Sequence, residues 1–190
     1  MTQHKIKFNE LLEAISLDDV NKNPGTEEVS VMLGRFQPCT AAHISIIDDA
    51  YKKYGNTVVV AVVKSSNDKS PFPFKLISEI LQKSTKSKIK VIELKTGFIG
   101  DFISPLRDEG MEPTILLAGT DRVKSYNGQI KRYKDTFNLT LEVKETKRTD
   151  DDISASKVRQ SLVDDDLETF KSMTAKGTWK YFDKLKKYMK

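Results

Sequence analysis

Between Val29 and Val163, short runs of β-branched and aliphatic residues alternate with stretches of helical periodicity. No other feature of the chain limits its fold as strongly. Val29–Leu33 reads as a short apolar strand, and the pattern over 41–54 predicts a helix offering Ile44, Ile46, Ile47 and Ala50 to a core. Thr57–Val63 is an unbroken β-branched run, as expected of a strand covered on both faces. The alternation continues with a helix over 74–84, a strand over 89–94, a helix over 99–109 and a strand over 114–118. A helix over 120–134 and a strand over 138–144 follow, then helices near 154–163, 165–174 and 177–188. Such repetition predicts an α/β fold: a Rossmann-like parallel sheet of about five strands in order 3-2-1-4-5, with helices on both faces and extra C-terminal helices. In open sheets of this kind ligands bind beyond the carboxyl ends of the strands, where the strand order reverses. With that order the first and fourth strands are neighbours, so the loops at 34–43 and 119–122 face one crevice.

A chain of 190 residues can bury a sizeable core without staples. Residues 1–28 read as an N-terminal helical extension and linker, with Ile6, Leu11, Leu12 and Ile15 at roughly helical spacing before the breaker Asn21–Gly25. Residues 29–163 read as one α/β domain, and 164–190 as C-terminal helices expected to pack on it. No apolar run approaches the roughly 20 residues that span a bilayer. Met1–Lys5 lacks the apolar core of a secretory signal, and Cys39 is the single cysteine, so a cytoplasmic protein is expected, with no membrane partner. Net charge is +5. The excess collects at Lys83–Lys90 and Lys176–Lys190 but is mixed with acids elsewhere, which favours a solvated surface over a nucleic-acid footprint. A positive field also suits a small anionic substrate such as a nucleoside triphosphate. These features are compatible with a homo-oligomer.

The chemistry concentrates in two strings. In the first, running from Gly34 to His43, Gly34 lets the backbone approach a ligand, Pro38 stiffens the turn and Thr40 can cap the incoming helix. His43 falls in the first helical turn, where a ring nitrogen can donate to a phosphate oxygen beside the helix dipole. The second string, Ile153-Ser154-Ala155-Ser156-Lys157-Val158-Arg159, places two hydroxyls and a guanidinium at another helix start. Both read as phosphate-handling ends of one nucleotide site. Asp150–Asp152 reads as a solvated loop rather than a metal cluster, and Asp164–Asp166 as helix N-terminal charge. Cys39 would expose the loop to thiol reagents without being catalytic. Trp179, Tyr181 and Phe182 read as packing residues.

With Gly34-Arg35-Phe36-Gln37-Pro38 in front, the Thr40-x-x-His43 and Ile153-Ser154-x-Ser156-x-x-Arg159 signatures resemble the nucleotidyltransferase superfamily over roughly 29–163. The resemblance implies that His43, Thr40 and Arg159 carry catalysis, His43 steadying charge on the transferring phosphorus and Thr40 facing the phosphates. Ser154, Ser156 and Arg159 would hold the β- and γ-phosphates. Gly34, Arg35, Phe36, Gln37, Gly119, Asp121, Arg122 and Ile153 would complete the nucleotide site, and Lys64, Phe72 and Lys75 would meet the acceptor. Ala42 departs from the family's usual glycine, and Thr40 stands where many relatives have histidine. The implied reaction moves a nucleoside monophosphate, AMP from ATP in the leading reading, onto a small phosphorylated acceptor with release of pyrophosphate. Mg²⁺ would be bound mainly through the triphosphate, with no protein metal cluster. Nicotinamide mononucleotide is the leading acceptor because Gly-Arg-Phe-Gln-Pro and Gly119-x-Asp121 are similar to that branch, whose product places it in NAD biosynthesis. Arg148-Thr149 is similar instead to cytidylyltransferases, which use CTP, and Thr40-x-x-His43 also occurs in phosphopantetheine adenylyltransferases. A non-catalytic nucleotide- or nucleic-acid-binding protein is the competing class.

Overall fold

The computed structural model describes residues 21–64, 70–146 and 154–189. The elements in chain order are β1 (Glu27–Gly34), α1 (Ala41–Tyr54), β2 (Thr57–Val63), α2 (Phe74–Ser84), β3 (Ile89–Leu94), α3 (Gly100–Asp108), β4 (Met111–Gly119) and α4 (Thr120–Tyr133). They continue with β5 (Glu142–Thr146), α5 (Ala155–Val163), α6 (Leu167–Met173), a 3₁₀ helix (Lys176–Tyr181) and α7 (Phe182–Lys186). The expected helix at the N-terminus lies outside the described residues.

β2 shows why its sequence is an unbroken apolar run. Side chains alternate across a strand, so Val58, Val60 and Val62 enter one core with Ile47 and Ile77, while Val59 and Ala61 enter the other with Phe102 and Leu116. Both faces are covered, so an apolar side chain is buried whichever way it points. Adjacent β1 obeys the same period, sending Val29 and Val31 to the second core and Met32 to the first. All neighbouring strands pair parallel, in order β3-β2-β1-β4-β5. α1 and α2 cover the first face together with α5, α6 and α7, which supply Leu162, Phe170 and Leu185; α3 and α4 cover the second. Because β1 leads out to β2 and β3 on one side and meets β4 on the other, the order reverses at the β1–β4 junction. That puts the loops after β1 and β4 side by side.

Two expectations move. The alternation places the last strand over 138–144, whereas it runs over Glu142–Thr146. Phe137, Leu139 and Leu141 are buried at every second position, which imitates a strand. Their backbone instead terminates α4. Leu139 N–H donates to Lys134 at 2.9 Å, and Asn138 takes a left-handed φ of 49°. Arg107 holds the carbonyls of Phe137 and Asn138 at 2.5 and 3.0 Å, leaving them unavailable to a ladder. The second change is in the last helix, which divides into a 3₁₀ turn and α7. The cause is a close approach: a Cβ on Gly177 would lie 2.1 Å from the Lys83 carbonyl oxygen at the end of α2. Ser84 and Thr178 hydroxyls pair there at 2.9 Å. Trp179, Tyr181 and Phe182 pack against the first core as read, and Asp166 caps α6 by accepting from Thr169 N–H at 2.9 Å.

Candidate active site

β1 ends at Gly34, and the chain then turns sharply. Phe36 adopts φ 51°, a left-handed conformation unusual for a bulky residue, and Gln37–Pro38 is a cis peptide. The turn folds the Phe36 ring inward, where it meets His43 edge-on with ring centres 5.2 Å apart. A Cβ on Gly34 would press that ring at 3.2 Å, so Gly34 makes room for Phe36 as well as bordering the cavity. Gln37 acts as a clip: its side-chain oxygen accepts from Phe72 N–H at 2.9 Å, and its amide nitrogen donates to the Phe72 carbonyl at 3.0 Å.

The next three residues orient the histidine. Thr40 caps α1 with its hydroxyl, which accepts from His43 N–H at 3.4 Å. Thr40 N–H in turn donates to His43 Nδ1 at 3.1 Å, closing a capping box in which histidine takes the place usually held by Glu or Gln. A backbone N–H can only donate, so Nδ1 is the unprotonated nitrogen and the ring proton sits on Nε2. The backbone thereby selects the tautomer whose outer nitrogen is a donor, the form that can stabilise a developing negative charge.

The second string meets the first here. Arg159, on α5, donates from Nη1 to the Gln37 carbonyl at 2.6 Å and from Nη2 to Ser156 Oγ at 3.2 Å. Ser154 caps α5 by accepting from Lys157 N–H at 3.2 Å. Burial, and after it the like charge of Arg35, hold the Arg159 guanidinium below its usual pKa range. Two cations that disfavour each other across a cleft are relieved by an anion placed between them. A cavity of about 520 Å³ opens at this junction, over the carboxyl ends of the strands.

Of the residues singled out from the sequence, Gly34, Arg35, Phe36, Gln37, Thr40 and His43 line that cavity from the first loop. Gly119, Asp121 and Arg122 line it from β4 and α4, and Ser154, Ser156 and Arg159 from α5. Ile153 lies outside the described residues, as does Asp150–Asp152. Three acceptor residues are not brought to the cavity. Phe72 is 3% exposed in the first core, with its backbone clipped by Gln37. Lys64 and Lys75 are exposed and do not line the cavity. Sequence reasoning missed Ser125, Tyr126 and Gln129, which continue the wall begun by Arg122. Their positions, three, four and seven residues beyond Arg122, are the spacing of one helix face and were the available signal.

Cys39 departs from the reading of a reagent-accessible thiol. It is fully buried, and burial pushes its pKa up to about 12. At pH 8 the folded protein should therefore resist Ellman's reagent, and one thiol should appear on unfolding in guanidinium. Stoichiometric labelling of the native protein would contradict this placement.

A family model described as cytidylyltransferase-like matches residues 31–161, more than half of the chain. The chain belongs to the cytidylyltransferase-like family. The match spans both signatures and the strand ends between them, within the nucleotidyltransferase superfamily. A phosphopantetheine adenylyltransferase of Geotalea daltonii is 26% identical over 120 residues, covering 61% of this chain and 69% of that protein. Among solved structures, a Plasmodium falciparum nicotinic acid mononucleotide adenylyltransferase complexed with NaAD superimposes with a TM-score of 0.62 at 16% identity. That superposition covers 86% of this chain and 98% of the other. Thermotoga maritima TmcAL bound with alpha-thio ATP gives 0.59 at 10% identity, covering 84% of this chain and 56% of the other. At these identities the two structures share the fold.

Proposed function

We propose that this family member transfers AMP from ATP to a small phosphorylated acceptor, with nicotinamide mononucleotide as the leading acceptor. The observation that carries the reading is the Arg159–Gln37 bond, which draws both signatures to one cavity beside Arg35 and His43. An acceptor phosphate oxygen attacks the α-phosphorus in line. The bond from that phosphorus to the α,β-bridging oxygen breaks, and pyrophosphate leaves. The nucleophile is already anionic, so no general base and no covalent intermediate are required. Catalysis then comes from alignment and from donors aimed at the transition-state charge. Arg159, Ser156 and Arg35 hold the departing β- and γ-phosphates, while His43 Nε2–H donates to the oxygens around the reacting phosphorus.

The donor set also suits a metal carried by the substrate. Asp121 is the one carboxylate among the lining residues, and no group of three or more His, Cys, Asp or Glu is arranged for a metal among the described residues. A bound Mg²⁺ would neutralise triphosphate charge, held mainly by phosphate oxygens, with Asp121 the carboxylate available among the described lining residues.

A second acceptor, 4′-phosphopantetheine, is favoured by the Geotalea relative. Pyrophosphate release measured with ATP or CTP against nicotinamide mononucleotide, nicotinate mononucleotide and 4′-phosphopantetheine separates these readings. The first predicts ATP with a pyridine mononucleotide. No turnover with any pair, together with tight oligonucleotide binding, would replace the enzyme reading with that of a binding module. Arg159→Ala should raise the KM for ATP about 10–100-fold, the loss of a charge-assisted hydrogen bond worth ~1.5–3 kcal/mol. An unchanged KM for ATP would remove Arg159 from the phosphate grip.

A further inference from the structure

Gln37 borders the cavity, yet its side chain is spent on the Phe72 backbone. The residue is 6% exposed, and its amide engages both polar groups of Phe72, accepting from N–H at 2.9 Å and donating to the carbonyl at 3.0 Å. A backbone N–H can only donate and a carbonyl can only accept, so the site demands an acceptor and a donor side by side. Glutamine carries that pair. Methionine has neither member, and an ionised glutamate lacks the donor. Phe72 is a firm anchor, because its ring is buried in the first core.

The backbone of the same residue reaches the phosphate grip. Its carbonyl accepts from Arg159 Nη1 at 2.6 Å. The other Arg159 bond, from Nη2 to Ser156 at 3.2 Å, stays within α5 and leaves the guanidinium's place relative to the first loop unset. The Gln37 bond sets it. A carbonyl points where its own residue's backbone allows, and the clip holds that backbone from the side-chain end. A continuous path results, from the buried Phe72 through the Gln37 amide and carbonyl to the Arg159 guanidinium.

We propose that Gln37 is a positioning residue: it acts on a bound triphosphate through Arg159, by holding the carbonyl that aims the guanidinium. Its own side chain does not touch the nucleotide. This role rests on the adenylyl-transfer reading, which makes Arg159 a phosphate-holding group. Arginine has a long, flexible stem and loses rotamer freedom when it grips an anion. A guanidinium already held in place has lost that freedom beforehand, so triphosphate binding costs less.

Calorimetric titration with ATP tests this without any acceptor, across wild type, Gln37→Met, Arg159→Ala and the double variant. Methionine has a chain of similar length and removes both clip bonds. Gln37→Met should raise the Kd for ATP about tenfold in the wild-type background, but less than about twofold once Arg159 is alanine, because the group through which Gln37 acts is gone. Equal fold-changes in the two backgrounds, or a Kd within about twofold of wild type in Gln37→Met itself, overturn the proposal and leave adenylyl transfer standing. Should Gln37→Met not fold, Gln37→Glu decides. Its ionised carboxylate opposes the Phe72 carbonyl, whereas the protonated group again sets a donor beside an acceptor. Burial and the facing carbonyl favour the neutral form and raise its pKa. The ratio of its Kd for ATP to the wild-type value should therefore fall as pH drops from about 8 to about 6, and the fall should vanish in the Arg159→Ala background. A flat ratio, or a fall that persists without Arg159, overturns the proposal. Turnover is a separate measurement: a wild type that binds ATP but adenylylates none of the acceptors ends the enzyme reading and leaves the Kd cycle to judge Gln37. A wild type that binds neither ATP nor CTP overturns both.

Discussion

His43→Ala is expected to lower kcat about 10²–10³-fold, with little change in the KM for ATP. The size follows from the role: one pre-oriented donor aimed at transition-state charge, lost from a partly enclosed site. In the proposed mechanism the KM is spared because Arg159, Arg35 and Ser156 would hold the ground-state triphosphate without it. The variant also loses half of the capping box, since His43 Nδ1 no longer accepts from Thr40 N–H. A cap is worth ~0.5–2 kcal/mol, so a modest fall in stability accompanies the kinetic effect. His43→Gln separates the two. Glutamine at this position can accept from Thr40 N–H, as in the ordinary capping box, but does not reproduce the ring donor. Urea unfolding should therefore recover toward wild type in His43→Gln while kcat stays low. Wild-type kcat in either variant would take the imidazole out of the chemistry, and a kcat that tracked stability across both would reduce His43 to a cap.

The largest stability effect is expected away from the cavity. Arg107→Ala should cost about 3–5 kcal/mol, the penalty for leaving a buried charge without its partner. Arg107 is 4% exposed and Glu112 6%. Their side chains meet in a two-pronged pair, Nε to Oε2 at 2.8 Å and Nη2 to Oε1 at 2.7 Å. The same guanidinium also binds the carbonyls of Asn21, Phe137 and Asn138, and Glu112 accepts from Gly25 N–H at 3.0 Å. One ion pair thus fastens the entry to β1, the end of α4 and the turn between α3 and β4. The double variant Arg107→Met with Glu112→Leu removes both charges together, so it should be less destabilised than the sum of the single variants. It should not reach wild type, because the freed carbonyls remain without donors. Denaturant midpoints for the three variants decide this, and a loss below about 1 kcal/mol for Arg107→Ala would mean that the pair is solvated in solution.

Much of the architecture was legible before any coordinates. The helix over 41–54, the strand over 57–63, the helix over 74–84 and the strand over 89–94 coincide with α1, β2, α2 and β3. Their patterns are plain: β2 is apolar on both faces, β3 is a short aliphatic run broken by Lys90 and Glu93, and the helices are amphipathic. The last strand was misplaced because Phe137, Leu139 and Leu141 bury alternate side chains without pairing their backbone. Only Arg107, thirty positions earlier in the chain, explains where those carbonyls go. The burial of Phe72 was hidden for a related reason: a motif likeness says which residues stand near a segment, not which way a ring points.

The strand and helix periods, and the two strings that mark phosphate-handling turns, were set by local chemistry. Side-chain alternation, capping propensity and backbone restriction act within a few residues and leave their mark in order along the chain. Tertiary contact alone decided the rest: the His43 tautomer, the Arg159 bond across 122 positions and the orientation of the Gln37 amide. Each depends on hydrogen bonds of fixed donor sense between particular atoms. A one-dimensional pattern records the residue types but not the direction in which the proton lies.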